Sequence, residues 1–441
     1  MSRSVLDTIR RTCLPFDEDA GAIQVALDEA AGARVVLIGE ASHGTHEFYR
    51  LRADITKALI LRHDFNIVAV EADWPDAWRA NRWVLGRGGD GTVEEALGDF
   101  TRFPRWMWRN REVCAFLAWL REYNAARTAR GTAGFYGLDL YSLHASIEAV
   151  LEYLRRVDPA AERRARGRYA CFDHFGPDTA SYAQAAGLGL SASCEREVVE
   201  TLVDLRRRAA EYATRDGRIA ADDYFAAEQN ARLVRNAEQY YRAMFGGRVE
   251  SWNLRDTHMM ETLEALLAHV QVAAGRSKAV VWAHNSHLGD ARATAMGDAG
   301  ELNLGQLARE AYGAACRSIG FTTHAGTVTA ASDWDGPAVR KVVRPSLGGS
   351  YERLFHDTGV PRFLLRLREE PVRAALGARR LERAIGVIYR PETERWSHYF
   401  EASLPQQFDL VIHVDDTRAL HPLEPWSHRE SDLPETFPAG V

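Results

Sequence analysis

Six short apolar runs constrain the fold of this chain more than any other feature of its sequence. Most of them are rich in Val and Ile and lack polar alternation, and they span residues 34–39, 67–70, 134–138, 279–283, 384–389 and 408–414. Runs of this kind are typical of strands that helices cover on both faces. We therefore predict that the six runs are buried strands of a central sheet.

The segment between the first two runs has the pattern of a helix. Over residues 47–62, apolar side chains recur with helical spacing, at Phe48, Leu51, Ile55, Leu59 and Ile60. A strand, a helix and a second strand in this order form a βαβ unit, whose two strands run parallel. The sequence thus predicts an α/β fold with a mostly parallel central sheet flanked by helices.

The middle of the chain differs from its two ends. Between residues 141 and 270 strand signals nearly vanish, and 195–214 and 225–244 have the pattern of amphipathic helices. We predict a helical insertion or subdomain over the cleft at 141–270, between two parts of the α/β core at 1–140 and 271–415. Several prolines and acidic residues near the end predict an irregular C-terminal tail at 416–441.

Composition argues against several classes of protein. Of the 441 residues, 46% are hydrophobic and 26% are charged, which is ordinary for a globular protein. The net charge of −6 argues against a nucleic-acid or anionic-membrane partner. No apolar run approaches the roughly 18 residues of a membrane span, and the first residues lack the apolar stretch of a signal peptide. We therefore expect a cytoplasmic protein with no membrane partner.

Cysteine usage agrees with this expectation. The five cysteines are scattered and include no CxxC pair: Cys13, Cys114, Cys171, Cys194 and Cys316. An odd, unclustered set fits reduced thiols better than a disulfide framework. It also offers no cysteine metal site.

Ionisable side chains follow four of the predicted strands. In open parallel sheets, ligands bind beyond the carboxyl ends of the strands, so residues at these positions are candidates for a site. They are Glu40 and His43 after the first strand, Glu71 after the second, Asp139 at the end of the third, and His284 and His287 after the fourth. Because all of these residues are expected at the same edge of the sheet, we predict a functional site there.

The residue types indicate acid–base chemistry. A histidine with an ordinary pKa of about 6.5 can take a proton from water at physiological pH, and a neighbouring carboxylate stabilises the imidazolium that forms. His43 with Glu71 or Glu40 supplies this pair. An oxyanion that develops on a carbonyl needs hydrogen-bond donors. The candidate donors are Arg52, His284 and His287, and the set as a whole predicts hydrolysis of an ester or related carbonyl without a metal.

The same residues also have purely structural interpretations. His43 and His46 would then be polar residues at the start of a helix. Glu71 would form a buried salt bridge, with Arg52 as the candidate partner, and Asp139 would cap the next helix. Six tryptophans, which either pack a core or wall a cleft, lie close together: Trp74, Trp78, Trp83, Trp106, Trp108 and Trp119. Trp74, next to Glu71, is the strongest candidate for a cleft wall.

Four blocks of sequence carry most of these residues. They are GEASHGTHEFYRLR at 39–52, AVEADW at 69–74, FYGLDLYS at 135–142 and WAHNSHLGD at 282–290. In this order the blocks resemble the erythromycin esterase family, over roughly residues 30 to 415. The resemblance implies an α/β core with a helical region over a deep cleft. It says less about the substrate, because some relatives with this signature are labelled succinoglycan biosynthesis proteins.

The resemblance also implies roles for individual residues. His43 matches the family's general base, which activates water to cleave a macrolide lactone without a metal. The other matching positions are Glu40, Arg52, Glu71, His284 and His287. We therefore predict a hydrolase that acts on a small-molecule ester or lactone, with no cofactor and no nucleic-acid partner. Residues beside the reaction centre are predicted to contact the substrate, namely His46, Asp73, Trp74 and Asp139.

Three alternatives remain open at this point. His43, His46, His284 and His287 with the two glutamates contain enough ligands for a metal-dependent hydrolase. Ser42 could be a nucleophile, although its segment is one residue too long for the G-x-S-x-G elbow. The cleft could also bind haem or iron in a protein that is not an enzyme, with the histidines as ligands.

Overall fold

The structure, a computed structural model, describes residues 3–17, 19–128, 130–175, 193–213, 218–244 and 247–427. Within these ranges the strands are β1 (Leu14–Pro15), β2 (Val35–Ile38), β3 (Ile67–Asp73), β4 (Gly134–Asp139), β5 (Ala279–Trp282), β6 (Cys316–Thr322), β7 (Ala325–Ala330), β8 (Val339–Val343), β9 (Arg362–Arg366), β10 (Arg380–Arg383), β11 (Tyr399–Ala402), β12 (Leu410–Val414) and β13 (Asp416–Thr417).

The α-helices of the same ranges are α1 (Arg3–Thr12), α2 (Asp19–Ala30), α3 (His46–His63), α4 (Trp74–Val84), α5 (Val93–Ala96), α6 (Arg111–Ala125), α7 (Leu143–Val157), α8 (Pro159–Tyr169), α9 (Glu195–Arg207), α10 (Ala209–Ala213), α11 (Arg218–Ala243), α12 (Arg248–Ala274), α13 (Asn285–Leu288), α14 (Ala295–Asp298), α15 (Leu304–Tyr312), α16 (Tyr351–His356), α17 (Glu370–Leu376), α18 (Glu394–Ser397) and α19 (Leu404–Gln407).

Eight strands form the central sheet, in the order β1-β9-β12-β6-β2-β5-β3-β4. The six strands from β12 to β4 run parallel, whereas β9 is antiparallel to β12 and β1 is antiparallel to β9. The predicted mostly parallel sheet is therefore confirmed. Because the chain leaves β2 towards β3 and β4 on one side and later towards β6 on the other, the centre of the sheet is a switch point where a cleft can form.

Five of the six predicted strands are confirmed, as β2, β3, β4, β5 and β12. The strand predicted at 384–389 is wrong. This segment makes only isolated bridges, Ile385 to Ser42 and Ile388 to Ala331. Its neighbours are loops rather than strands, so no ladder can form along it. The helix predicted at 47–62 is confirmed as α3.

Two apolar layers cover the sheet. Alternate side chains of β2 point to opposite faces, so Val36 and Ile38 pack in one buried cluster with α2, α3, α4 and α6. Val35 and Leu37 pack in the other cluster with α7, α11, α12 and α15. The long helix α12 packs against β3 and β4. It thus forms part of the layer that covers the sheet, and it presents its own polar side chains near the strand ends.

The helical character of the middle region agrees with the prediction wherever it is described. Residues 225–244 lie almost entirely within α11, and the described part of 195–214 forms two helices, α9 and α10. The domain boundaries at 140, 270 and 415 stay predictions. The C-terminal segment is less irregular than expected, because β13 pairs with β7 and Leu420 is buried. Residues 428–441 of the predicted tail lie outside the described residues.

The cysteines depart from the expectation. Cys171 and Cys194 form a disulfide bond, so the expectation of reduced thiols is wrong for this pair. The reason is tertiary, since the fold brings the start of α9 beside the turn after α8, and scattered spacing in the sequence does not reveal this contact. Cys13, Cys114 and Cys316 are free and buried. The predicted cytoplasmic location loses this support and stays a prediction.

Among the described helices, none combines the length and the apolar character needed to cross a membrane.

Gly44 allows three segments to meet behind the strand ends. Its carbonyl oxygen accepts hydrogen bonds from the backbone N–H groups of Thr329 and Leu420, at 2.9 and 2.8 Å. A Cβ atom at Gly44 would lie 1.8 Å from the carbonyl oxygen of Thr329. Because this oxygen belongs to the backbone, it cannot move aside as the end of a flexible side chain could.

We expect Gly44→Ala to lower the free energy of unfolding by about 1–3 kcal/mol, the usual cost of overpacking. Urea denaturation followed by circular dichroism measures this loss. Gly32→Ala is the matched control, because no atom lies within 4 Å of its added Cβ. Equal denaturation midpoints for the two variants would contradict the packing described here.

Candidate active site

A cleft of about 530 Å³ lies at the carboxyl ends of β2, β3, β4 and β5, and its size is typical of small-molecule sites. The predicted site residues that line it are His43, Glu71, Asp73, Asp139, His284 and His287. The four strand ends therefore converge as the sequence predicts. Of the remaining predicted residues, Glu40 and Arg52 lie behind His43, whereas His46 and Trp74 do not line the cleft.

The ring of His43 is held by a buried carboxylate. Its Nδ1 atom donates to Oε1 of Glu40 at 2.9 Å, because an ionised carboxylate can only accept. The other oxygen of Glu40 lies 3.1 Å from Nη1 of Arg52, and both of these side chains are fully buried. With Nδ1 occupied, Nε2 is the nitrogen of His43 that can accept a proton at the cleft.

Arg52 lies between two aromatic rings as well as beside Glu40. Its guanidinium carbon is 4.4 Å from the ring centre of Tyr49 and 4.8 Å from that of Trp282, which is the range of cation–π attraction. The structural interpretation that paired Arg52 with Glu71 is wrong. Arg52 faces Glu40 because α3 packs directly against the end of β2.

Glu71 binds three groups at the floor of the cleft. It accepts the backbone N–H of His284 at 2.9 Å and Nη2 of Arg255 at 2.7 Å, and it lies 3.4 Å from Nε2 of His287. Burial alone raises the pKa of Glu71, but His287, Arg255 and His43 outweigh burial and hold its pKa far below the usual range. Glu71 is therefore a carboxylate at every physiological pH.

Arg255 on α12 is a site residue that the sequence prediction misses. It donates to both oxygens of Asp139, at 3.0 and 2.6 Å, as well as to Glu71. Asp139 also accepts the backbone N–H of Leu140 at 2.9 Å, but the N-cap of the next helix, α7, is Ser142, so the structural interpretation of Asp139 as the cap of that helix is wrong. No motif surrounds Arg255, and only its place on a helix that covers the strand ends identifies it.

Asp256, the next residue of α12, is also missed by the prediction. Both of its oxygens lie 2.9 Å from Nδ1 of His287, and the His287 ring stacks on Trp252 with centroids 4.4 Å apart. Burial acts to lower the pKa of His287, but the carboxylates of Asp256 and Glu71 outweigh burial and raise it. His287 thus carries a hydrogen on Nδ1 and readily becomes an imidazolium.

The pKa of His284 is shifted in the opposite direction to that of His287. Burial, followed by the nearby His43, lowers the pKa of His284 to about 3, although Glu71 and the Ala41 carbonyl act against this shift. Its Nδ1 atom accepts the backbone N–H of Ser286 at 3.2 Å. The hydrogen of the neutral ring therefore lies on Nε2, which is buried without a hydrogen-bond partner among the described residues. The rings of His284 and His43 have centroids 4.9 Å apart.

The other predicted contact residues have different surroundings. Asp73 lines the cleft and pairs with Arg102 at 2.6 Å. Trp74 is buried in the core, stacked on Trp78, so the prediction that it walls the cleft is wrong. The reason is that α4 begins directly after β3 and turns its first residue towards the helical layer. His46 pairs with Glu112 at 2.5 Å, on α6.

Two of the alternative chemistries can be compared with these positions. Ser42 is buried, forms a short hydrogen bond with Thr45 and does not line the cleft, which argues against its role as a nucleophile. In the described part of the chain, sets of three potential metal ligands within 4.8 Å of one another do not include the cleft histidines. These sets are His46, Glu112 and His421, and His324, His356 and Asp415.

Comparison with known proteins agrees with the motifs. The family model described as Erythromycin esterase matches residues 60–417. The chain belongs to the erythromycin esterase family. As a member it is a carboxylic ester hydrolase, as the sequence predicts. Erythromycin esterase type II of Escherichia coli is 25% identical over 311 residues, which cover 67% of this chain and 70% of that protein.

Further relatives of this erythromycin esterase family member include type I of Escherichia coli. It is 31% identical over 87 residues, which cover 20% of this chain and 21% of that protein. A crystal structure of a succinoglycan biosynthesis protein has a TM-score of 0.74 at 21% identity, covering 95% of this chain and 98% of that chain. A Bacillus cereus protein has a TM-score of 0.75 at 18% identity, covering 96% and 100%.

A histidine-to-asparagine variant of the erythromycin esterase EreC, in its open conformation, has a TM-score of 0.65 at 18% identity, covering 94% of this chain and 97% of that chain. At these low identities the structural neighbours establish the fold. Their agreement over nearly the whole chain confirms the α/β architecture with a mostly parallel sheet.

The His287–Asp256 pair generates a prediction about protonation. We expect Asp256→Asn to lower the pKa of His287, because the variant loses a negative charge that raises this pKa while the lowering effect of burial remains. Titration of ¹⁵N-labelled histidines by NMR measures this change. In the parent protein the imidazolium persists above the ordinary pKa of about 6.5, and in the variant it is lost at lower pH. Asp290→Asn, whose carboxylate pairs with Arg292, should leave the titration of His287 unchanged.

Proposed function

We propose that this esterase hydrolyses an ester or lactone by direct attack of water, with His43 as the general base. One observation carries the proposal, namely the buried chain from Arg52 through Glu40 to Nδ1 of His43. The carboxylate fixes the tautomer that leaves Nε2 free, and it stabilises the imidazolium once the proton has moved. Arg52 is a positioning residue, since it lies 3.1 Å from Glu40 and reaches His43 only through that carboxylate.

His284 is the donor for the oxyanion in this proposal. A tetrahedral intermediate needs a hydrogen-bond donor that is already in place and does not lose its proton to the reaction. The neutral His284 ring, with its hydrogen on Nε2, meets this requirement beside His43. Its Nδ1 atom is occupied by Ser286, so the ring cannot turn without losing that bond.

Glu71, Arg255 and His287 form the support of this arrangement. Glu71 accepts the backbone N–H of His284 and therefore fixes the start of α13. Its negative charge also stabilises an imidazolium at His43 across the cleft, since His43 in turn lowers the pKa of Glu71. Arg255 lines the cleft and could hold a second oxygen of the substrate, whereas the two ring nitrogens of His287 already face Asp256, Glu71 and Arg255.

The substrate class that we propose is a macrolide or another large lactone. The curated relatives are named erythromycin esterases, and the cleft volume fits a drug-sized molecule. Trp334 and Trp396 line the cleft and remain exposed, at 68% and 85% of their surface. Exposed indoles at the mouth of a cleft provide a broad apolar surface for a bulky ring. Cleavage of a macrolide ring would make the protein an antibiotic-resistance enzyme.

The proposal is tested by incubating the protein with a panel of macrolides and simple esters and searching by mass spectrometry for a product heavier by one water. On an accepted substrate, we expect His43→Ala and Glu71→Ala each to lower kcat/KM by about a hundredfold or more, because the base or its support is lost.

His63→Ala, at the end of α3 and outside the cleft, is the matched control and should retain parental kcat/KM. Near-normal kcat in a folded His43→Ala variant would disprove the assignment of the base. Labelling of the parent by a fluorophosphonate probe would instead favour a serine nucleophile.

The pH dependence tests the role of His284 separately. We expect His284→Ala to lower kcat by about 10²–10³, the usual cost of removing an oxyanion donor. The acidic limb of the pH–rate profile should keep its position, since the pKa of His284, at about 3, lies below the working range. An acidic limb that moves in the variant would show that His284 itself titrates during catalysis.

A further inference from the structure

A group of potential ligands lies outside the cleft, where the C-terminal segment crosses the starts of α3 and α6. His46 is the first residue of α3, Glu112 lies in the first turn of α6, and His421 follows β13. One ligand atom of each residue lies within 4.8 Å of those of the other two. Nδ1 of His46 is 2.5 Å and Nδ1 of His421 is 3.8 Å from Oε1 of Glu112.

We propose that His46, Glu112 and His421 bind a divalent transition-metal ion such as zinc, which ties the C-terminal segment to the loop that carries His43. Two imidazoles and one carboxylate, with a position left for water, form a common zinc-binding set. Zinc holds such atoms at about 2.0–2.2 Å in tetrahedral geometry, so they lie roughly 3.4 Å apart. The distances from Oε1 of Glu112, 2.5 Å to His46 and 3.8 Å to His421, lie just below and just above this separation.

An unsatisfied oxygen supports the proposal independently. Oε2 of Glu112 is buried and makes no hydrogen bond within the described part of the chain. A buried carboxylate oxygen without a partner is costly, and a bound cation removes this cost. The side chain of Glu112 is 8% exposed, whereas that of His421 is 45% exposed. An ion can therefore enter from solvent and reach the buried oxygen.

The backbone holds the three ligands in place. The N–H of His46 donates to the carbonyl of Arg418 at 2.8 Å, and the N–H of Arg111 donates to the carbonyl of His421 at 3.0 Å. Thr45 bridges to Ala419 on the same side. Little conformational entropy is therefore lost when the ion binds. A metal here would stabilise the segment at 418–422 against the loop at 43–45.

The second ligand set, His324, His356 and Asp415, differs in two ways. Both oxygens of Asp415 already accept from Nδ1 of His356, at 2.9 Å, and one also lies 3.3 Å from Nε2 of His413. The rings of His324 and His356 stack in parallel with centroids 3.6 Å apart. The oxygens of Asp415 are thus already paired, and Nδ1 of His324 bonds to the hydroxyl of Ser346 at 2.6 Å, so this set supplies the control variant.

The test uses the full chain without a polyhistidine tag, stripped with chelator and titrated with Zn²⁺ alone. We expect one Zn²⁺ per chain and a higher thermal midpoint, because the ion binds the folded state. His421→Ala and Glu112→Gln should each weaken binding by at least about tenfold, while His356→Ala binds as the parent does. Co²⁺ in place of Zn²⁺ should give the visible absorption of a tetrahedral site, and this absorption should be lost in both ligand variants.

Several results would overturn the metal site without affecting the esterase proposal. These are the absence of saturable Zn²⁺ binding, unchanged binding in folded His421→Ala and Glu112→Gln, or loss of binding in His43→Ala or His356→Ala instead. Circular dichroism checks the folding of each variant. Because His421 and Glu112 lie outside the cleft, the initial rate of ester cleavage at low temperature should remain within about twofold of the parental rate in both ligand variants.

Discussion

One buried carboxylate, Glu40, holds the proposed base and its supporting cation together. It joins Nδ1 of His43 to the guanidinium of Arg52, and neither Glu40 nor Arg52 is accessible to solvent. Removing one member of a buried ion pair costs about 3–5 kcal/mol, because the other charge is left without a partner. Arg52 in turn lies against Trp282, whose Nε1 atom donates to Thr56 at 2.9 Å. The guanidinium of Arg52 and the indole of Trp282 therefore join helix α3 to strand β5.

A second network, across the cleft, gives two histidines different protonation behaviour. His287 faces two carboxylates and gains a proton readily, whereas His284 is buried beside one carboxylate and two histidines and remains neutral. The backbone N–H of His284 is held by Glu71, whose charge is balanced by Arg255. Similar residue types thus acquire distinct chemistry, because burial and neighbouring charge act in different proportions on each of them.

The sequence predicts much of the sheet and the residues at its edge, and it misses what α12 contributes. Strands rich in Val and Ile are visible in the sequence, whereas β6 is not among the predicted strands because Arg317, Ser318 and Gly320 interrupt its apolar run. Arg255 and Asp256 carry no local motif. Trp74 differs from expectation because α4 turns it into the helical layer, against Tyr136 and Phe225. Cys171 and Cys194 differ because they are 23 residues apart and become neighbours only in the fold.

The sequence by itself determines which side chains leave the strand ends, because strand and loop patterns are local and a parallel sheet brings its carboxyl ends to one edge. It also determines the family, because the four sequence blocks are typical of it. The first block places Gly39 directly before Glu40. At Gly39 a Cβ atom would lie 2.2 Å from the side-chain oxygen of Asn285. Only the tertiary structure decides which carboxylate holds which histidine. His43 is held by Glu40, three residues before it, whereas His287 is held by Asp256, 31 residues before it. This choice depends on hydrogen-bond distances of about 3 Å, and the packing of α3 and α12 on the sheet sets them.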